Sequence, residues 1–169
     1  MNRNNPEEVF KSAQKAMEVG DYHGFFICLD PADLRKIMNN AFKLSMSKHG
    51  GKNDEFRAIC ERHSIPLREL QDVWEKMEWR RYDEVLKTAF KNVFDVAALM
   101  ADLEKHSRAV AGGGSISKKL FVGEVLLNLD IADKKAWAER KINDKYSEPI
   151  GFLRKKDGWY IKLFVKSRQ

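Results

Sequence analysis

The sequence has few of the residues that build redox sites. Among its 169 residues there are two cysteines, Cys28 and Cys60, and each falls within an apolar helical pattern. That setting favours buried free thiols over a disulfide, and reduced thiols favour the cytoplasm as the compartment. The polar first residues lack the apolar core of a signal peptide. The sequence leaves open whether a leader was removed.

Long apolar runs and metal-binding patterns are also missing. No stretch approaches the roughly 18 uninterrupted apolar residues of a membrane-spanning helix, so we predict no membrane segment. The four histidines are widely spaced, without a His-x-x-x-His pair, and there is no Cys-x-x-Cys. Metal ions need convergent ligands at about 2.0–2.3 Å, and local spacing supplies none. We therefore predict neither a metal nor a cofactor.

Motifs for nucleophilic catalysis and phosphate binding are absent as well. The chain has no Gly-x-Ser-x-Gly. Residues 112–119 are rich in glycine, serine and lysine, but a phosphate loop needs Gly-Lys-Ser/Thr between a strand and a helix. Here a helical pattern precedes the glycines and a strand pattern follows them. This segment is therefore predicted to be a linker.

The net charge of +6 comes from the C-terminal third of the chain. Residues 1–108 hold 18 basic and 18 acidic residues, whereas residues 109–169 hold 13 basic and 7 acidic ones. One interpretation is a solvated basic rim that keeps sheet edges from pairing with other chains. The other is a surface for an anionic partner. The candidate residues for that partner are Arg80, Arg81, Lys118, Lys119, Arg154, Lys155 and Lys156.

Helical patterns fill the first two-thirds of the chain. Asn5 followed by Pro6 is typical of a helix start, and Gly20 is typical of a helix end. Asp21 and Asp30 can cap two further helices in the same way. Apolar residues at helical spacing then continue to about residue 110, where the glycine-rich joint at 111–117 begins.

Four strand-like segments follow the joint, at residues 121–129, 134–142, 147–155 and 158–165. The last of them alternates, with Trp159, Ile161, Leu163 and Val165 on one face. Sequential strands joined by short turns pair antiparallel, and helices followed by strands indicate the α+β class. We predict one domain over residues 1–169, in which a helical part (1–110) packs on a curved antiparallel sheet of about four strands (118–169).

Both ends of the chain carry a family resemblance. The start has an amphipathic helix from Pro6, then Gly20-Asp21-Tyr22 and Phe25-Phe26. The end has a hairpin from Glu148 through the turn Lys156-Asp157-Gly158 to Trp159-Tyr160-Ile161. This layout resembles the cone-shaped α+β superfamily of nuclear transport factor, SnoaL-like cyclases and ketosteroid isomerase. The resemblance covers roughly half of the chain, and residues 50–108 depart from the compact members.

The resemblance implies helices packed into the concave face of a bent sheet. The plan of helices, glycine-rich joint and four strands is also similar to a group of uncharacterised bacterial proteins, which implies no function. Isomerases and dehydratases of the superfamily place a carboxylate with phenols or histidines in an apolar pocket, where burial raises the pKa of the acid. Candidates of these residue types are Asp21, Tyr22, His23, Asp30 and Tyr82. Asp21 and Asp30 already have predicted roles as helix caps.

Large aromatic side chains are the candidates for contacts with a ligand or partner. They are Phe26, Trp79, Tyr82, Trp137 and Trp159. Aromatics at regular spacing usually belong to the core, but Trp79 is flanked by charge. Trp137 lies on the strand face opposite to Ala136 and Ala138, where it could contact a partner.

We therefore predict a non-catalytic binding or interaction domain. A cone-like cavity would hold a small apolar ligand, or an exposed sheet face would hold a protein partner or a second copy. One alternative is an isomerase or dehydratase that uses acid–base residues in the cavity. The other is a domain that binds an anionic partner through its basic residues. Because no nucleic-acid-binding module is visible, we do not expect that partner to be nucleic acid.

Overall fold

The computed structural model describes residues 3–49, 53–111 and 113–164, and these residues hold seven helices followed by four strands. The helices are α1 (Pro6–Glu18), α2 (Tyr22–Phe26), α3 (Pro31–His49), α4 (Asp54–Arg62), α5 (Leu67–Glu75), α6 (Trp79–Asn92) and α7 (Val96–Ala111). The strands are β1 (Val125–Ala132), β2 (Lys135–Asn143), β3 (Tyr146–Lys155) and β4 (Gly158–Lys162). The predicted α+β class is confirmed. No helix within the described ranges is both long and apolar enough to cross a membrane.

The chain folds into two compact units. One, the sheet unit, combines Met1–Leu34 with Ile116–Gln169 and contains α1, α2 and the four strands. The other, the helical unit, is Arg35–Ser115 and contains most of α3 with α4 to α7. The first two helices therefore belong with the strands rather than with the later helices. The prediction of a single domain over residues 1–169 stays a prediction.

The first two helices begin where the sequence indicates. Asn5 accepts a hydrogen bond from the backbone N–H of Glu8 at 2.9 Å, and Asp21 accepts one from Gly24 at 2.9 Å. These side-chain caps satisfy N–H groups that have no partner within the helix. Asp30, before α3, likewise accepts the N–H of Ala32, at 3.4 Å, and its carboxylate also accepts hydrogen bonds from two lysines, which the sequence did not predict.

The sheet is an antiparallel meander in the order β1-β2-β3-β4. Its first strand starts four residues later than predicted, because residues 121–124 form turns with positive φ at Phe121 (67°) and Gly123 (74°). The strand then continues to Ala132, through residues predicted as a connection. The last strand ends at Lys162, and Val165, predicted to belong to it, lies outside the described residues.

The core of the sheet unit lies on one face of the sheet, which we call the inner face. Cross-strand partners place these buried residues together on it: Ala136, Ala138, Ile150, Phe152, Trp159 and Ile161. Phe121 packs there between Phe10 of α1 and Phe25 of α2, with ring centroids 5.1 and 5.8 Å apart. Burying a large apolar side chain contributes about 1.5–3 kcal/mol, so this cluster joins both helices to the sheet.

The helical unit has its own aromatic core. Phe42 of α3 packs against Phe56 of α4 at 5.4 Å and against Phe90 of α6 at 5.6 Å between ring centroids. Tyr82 of α6 is 1% exposed, and Cys60 of α4 is fully buried. Three helices are thus joined through one ring cluster, which explains the apolar spacing seen in the sequence.

Candidate functional site

The two edges of the sheet differ in how they are covered. On β4, the N–H of Trp159 donates to the carbonyl of Arg3 at 2.9 Å, and the N–H of Ile161 donates to the carbonyl of Cys28 at 2.9 Å. The N–H of Asp30 also donates to the carbonyl of Ile161 at 2.8 Å. On β1, no further strand pairs within the described part of the chain. β1 is therefore the open edge.

The open edge is unusually apolar. Val125, Leu127 and Ile131 are 55%, 38% and 52% exposed. Asp130 is the one charged residue among the eight of this strand. Natural edge strands are commonly protected by lysine, proline or a covering segment. An apolar edge with unpaired backbone groups is a surface to which another strand can add.

A bulge in β1 changes which face its side chains take. Leu127 pairs with Glu139 and Asp130 pairs with Trp137, so Asn128 and Leu129 together oppose one residue of β2. Asn128 has a φ of 54°, the left-handed conformation that such an insertion uses. An extra residue reverses the alternation of side chains between the two faces.

The face assignments of β1 follow from its partners on β2. Val125, Leu127, Asp130 and Ala132 pair with outer-face residues, where the outer face is the one opposite to the inner face. Leu126 and Ile131 pair with Arg140 and Ala136 of the inner face. Both halves of the strand therefore present apolar side chains, on both faces, around the bulge.

Trp137 lies on the outer face next to this edge, as predicted from its alternation with Ala136 and Ala138. It is half-buried and pairs with Asp130 on one side and Gly151 on the other. Trp137 shares the outer face with Val125 and Leu127. The structure thus brings one of the predicted aromatic residues to the open edge.

The other predicted aromatic residues are placed elsewhere. Phe26 and Trp159 are 0% and 4% exposed and belong to the core of the sheet unit. Tyr82 is buried in the helical unit, whereas Trp79 is 47% exposed and packs edge-to-face on Trp74 with centroids 4.9 Å apart. Phe26 and Trp159 lie in the sheet unit and Trp79 and Tyr82 in the helical unit. The covered side chains of Phe26 and Trp159 have little surface for a ligand.

Three of the predicted anion-binding residues are already paired within the chain. Arg80 lies 3.5 Å from Glu84, Arg81 lies 3.3 Å from Glu78, and Lys155 lies 2.6 Å from Asp30. The remaining candidates, all in the sheet unit, are exposed: Lys118, Lys119, Arg154 and Lys156. Arg80 and Arg81 belong to the helical unit.

Asp30, one of the predicted acid–base candidates, is a buried carboxylate. Its side chain is 2% exposed and accepts hydrogen bonds from Lys155 at 2.6 Å and Lys162 at 2.7 Å. Burial alone would raise the pKa of Asp30, but the bonds from the two lysines outweigh it and hold the pKa below its ordinary value. A general acid of the cone-shaped isomerases needs a raised pKa, so this environment suits an ion pair instead.

Lys162 bridges that carboxylate to a second one. Its ammonium group lies 2.8 Å from Asp33, which also accepts the backbone N–H of Leu163 at 3.2 Å. Burial lowers the pKa of Lys162, but its hydrogen bonds to the two aspartates raise it above the ordinary value overall. Asp30 and Lys162 therefore stay ionised near neutral pH, and the cluster fixes the start of α3 to β4.

A second charged network was not predicted from the sequence. Arg140 donates to Glu124 at 2.9 Å and to Glu148, and the hydroxyl of Tyr146 donates to Glu148 at 3.0 Å. Arg140 and Glu148 are direct cross-strand partners on the inner face. The pairing of Arg140 with Glu148 could be predicted from the alternation of β2 and β3 if their register were known. The position of Glu124 could not be predicted, because this residue follows a turn.

Surface grooves of the helical unit run along α5 and α6. Two of them share Pro66, Glu69 and Arg81 in their linings. The further lining residues are mostly charged or polar, including Arg68, Asp72 and Glu84. Such grooves do not offer the apolar walls that a small apolar ligand needs.

Comparisons with protein-family models, with curated proteins and with solved structures found no match for this chain.

Proposed function

We propose that this chain is a non-catalytic interaction domain that associates with a second copy of itself through β1. The observation that carries the proposal is the contrast between the two sheet edges. β4 is covered by the chain's own residues, whereas β1 exposes Val125, Leu127 and Ile131. Apolar area removed from water is the main source of association free energy, and a strand at the edge of a sheet is where a second strand can add.

The bulge makes β1 complementary to itself. In an antiparallel pair related by a twofold axis between Asn128 and Leu129, Leu127 would oppose Asp130 of the second copy, outer face to outer face. Leu126 would oppose Ile131 on the inner face, and Val125 would oppose Ala132 on the outer face. Each of these three pairings joins residues of the same face, and Asp130 would not meet its own copy. A twofold interface requires this self-complementarity.

The covered edge limits the association to two copies. A sheet with two open edges can add strands without end, as fibrils do. Here the N–H groups of Trp159 and Ile161 already have partners, so only β1 is open in the described structure. Pairing of two β1 strands would therefore close the assembly as a dimer with an eight-stranded sheet.

The other functions have less support. The pKa of Asp30 is lowered rather than raised, which weighs against an acid–base enzyme. Intramolecular pairing of Arg80, Arg81 and Lys155 reduces the charge available to an anionic partner. The resemblance to the nuclear transport factor superfamily stays a prediction, and self-association through β1 does not require it. The buried free thiols Cys28 and Cys60 support the cytoplasm as the compartment.

The test is the oligomeric state of the purified chain, measured by native mass spectrometry and by light scattering over a concentration series. We expect a dimer, and we expect Ile131→Lys to raise its dissociation constant at least tenfold, which corresponds to about 1.4 kcal/mol. The lysine would have to lie against Leu126 of the second copy. The matched control is Val19→Lys, at a position that is 71% exposed and outside the sheet. Trp137→Ala should weaken the dimer less.

A chain that remains monomeric at about 100 μM would overturn self-association, since specific homodimers bind well below that concentration. A dimer that Ile131→Lys and Val19→Lys weaken equally would show that the contact lies elsewhere. Co-purification of a different protein with a monomeric chain would contradict the second copy as the occupant of β1.

A further inference from the structure

The glycine-rich segment after α7 is held by a buried carboxylate. Glu104 of α7 is 1% exposed. Its Oε2 accepts the backbone N–H of Ser115 at 2.7 Å and the hydroxyl of the same residue at 2.6 Å. Its Oε1 lies 2.5 Å from a guanidinium nitrogen of Arg108. The segment predicted as a flexible joint is therefore tied back to the helix that precedes it.

The glycines of this segment are not equivalent. A Cβ added at Gly114 would stand 1.8 Å from Oε1 of Glu104, which is far inside van der Waals contact. A Cβ added at Gly113 would meet nothing within 4 Å. Gly114 is therefore required by a close approach of backbone to carboxylate, whereas Gly113 has no such steric role.

We propose that Glu104, Gly114 and Ser115 form a latch. The latch holds Ser115 against α7 and opens in a single step. A buried carboxylate is costly without hydrogen-bond donors, and both donors to Oε2 come from one residue. When Ser115 moves away from Glu104, both hydrogen bonds to Oε2 are lost together. The segment therefore has a closed state and an open state rather than a continuous range of positions, and the latch decides when residues 113–117 are free to move.

The backbone N–H of Ser115 is a direct reporter of the latch. Its hydrogen exchange, followed by NMR, is slow when the bond to Glu104 is formed and fast when the latch is open. We expect protection of this amide in the unmodified chain. We expect Gly114→Ala to raise its exchange rate at least tenfold, because the new methyl group displaces the carboxylate. The matched control, Gly113→Ala, should stay within about twofold of the unmodified chain.

A second pair of variants separates the latch from general loosening. Ser115→Ala removes the hydroxyl donor but keeps the N–H, so its exchange rate should lie between those of the unmodified chain and Gly114→Ala. Ser117→Ala is its control, because the Ser117 hydroxyl accepts only the N–H of Lys119 among the hydrogen bonds of this segment. Amides of α7 should keep their protection in all four variants.

Equal exchange rates for Gly113→Ala and Gly114→Ala would overturn the latch. An unprotected Ser115 amide in the unmodified chain would do the same. Loss of α7 protection in Gly114→Ala would mean that Glu104 supports the helix rather than the segment after it. None of these results bears on the oligomeric state, so the latch and the proposed dimer are tested separately.

Discussion

At the scale of single residues, Tyr82 combines a buried ring with a polar hydroxyl group. It packs against Trp74 with ring centroids 5.2 Å apart, and its side chain is almost fully covered. Its hydroxyl has no hydrogen-bond partner among the described residues. Burial, and then the charge of Asp83, raise the pKa of Tyr82, so the phenol stays neutral. The unpaired hydroxyl is a cost to the fold rather than a catalytic group.

We expect Tyr82→Phe to raise the free energy of unfolding by about 1 kcal/mol. An unsatisfied buried hydroxyl costs roughly 1–3 kcal/mol, and phenylalanine keeps the ring that packs against Trp74. Urea denaturation followed by tryptophan fluorescence measures the change.

The contrasting variant is Tyr160→Phe. The Tyr160 hydroxyl donates to Asp157, and the ring is covered by the guanidinium of Arg3 at 4.5 Å. Removing that hydroxyl should lower stability by about 1 kcal/mol. If Tyr82→Phe also lowers stability by that amount, the Tyr82 hydroxyl has a partner and our account of its surroundings is wrong.

At the scale of elements, Asp30 connects the start of α3 to β3 and β4. The sequence Asp30-Pro31 predicts a helix start, and α3 does begin at Pro31. The carboxylate, however, accepts hydrogen bonds from Lys155 at the end of β3 and Lys162 at the end of β4. A local signal gave the position of the helix, but the ion pairs depend on strands more than 120 residues away.

We expect Asp30→Asn to lower the free energy of unfolding by about 2–3 kcal/mol at pH 7. Breaking a fully buried ion pair costs about 3–5 kcal/mol, and the two lysines here are partly exposed, which reduces the loss. Asp72→Asn is the control, because Asp72 and Lys76 form an exposed pair at the C-terminal end of α5. Exposed pairs contribute little, so that variant should be nearly unchanged.

The same cluster sets the pH dependence of stability. Because the folded-state pKa of Asp30 is lowered, its contribution is present above the ordinary value of 3.8 and is lost as the pH falls through the lower folded value. Asp30→Asn should therefore show less acid destabilisation below about pH 4 than the unmodified chain. Parallel acid unfolding curves would contradict this.

Elements with local signals were predictable, whereas the first residue of β1 was not. The Asn5 and Asp21 caps lie within three residues of the N–H groups that they bind. Phe121, in contrast, looks like the start of a strand but has a φ of 67° and packs between two helices. Its N–H donates to the carboxylate of Glu124. Tertiary packing therefore overrides the strand propensity of this aromatic residue.

The open edge was only partly predictable for a similar reason. Alternation along β2 was sufficient to place Trp137 on the face opposite to Ala136 and Ala138. The exposure of Ile131 depends on β1 being the uncovered edge, and that depends on Arg3 and Cys28 pairing with β4. Those pairings join the two ends of the sequence, where no local pattern indicates them.

At the scale of the whole molecule, the chain holds one buried cysteine in each compact unit. Cys28 belongs to the sheet unit and Cys60 to the helical unit. Burial raises the pKa of each thiol to about 12, so neither is a nucleophile near neutral pH. Each thiol becomes reactive only when its own unit unfolds. Comparing the reactivity of the two thiols therefore shows whether the two units unfold together.

We expect Cys28 and Cys60 to become reactive at the same urea concentration, as one domain over residues 1–169 predicts. The physical reason is α3, which contributes Pro31 to Leu34 to the sheet unit and continues into the helical unit without a break. Helix formation is cooperative, so we expect the hydrogen bonds of α3 to be lost together. Pulsed alkylation followed by peptide mass spectrometry measures both sites in one sample. Cys28→Ser and Cys60→Ser confirm that each thiol reacts independently of the other, and two separate midpoints would show that the units unfold as independent domains.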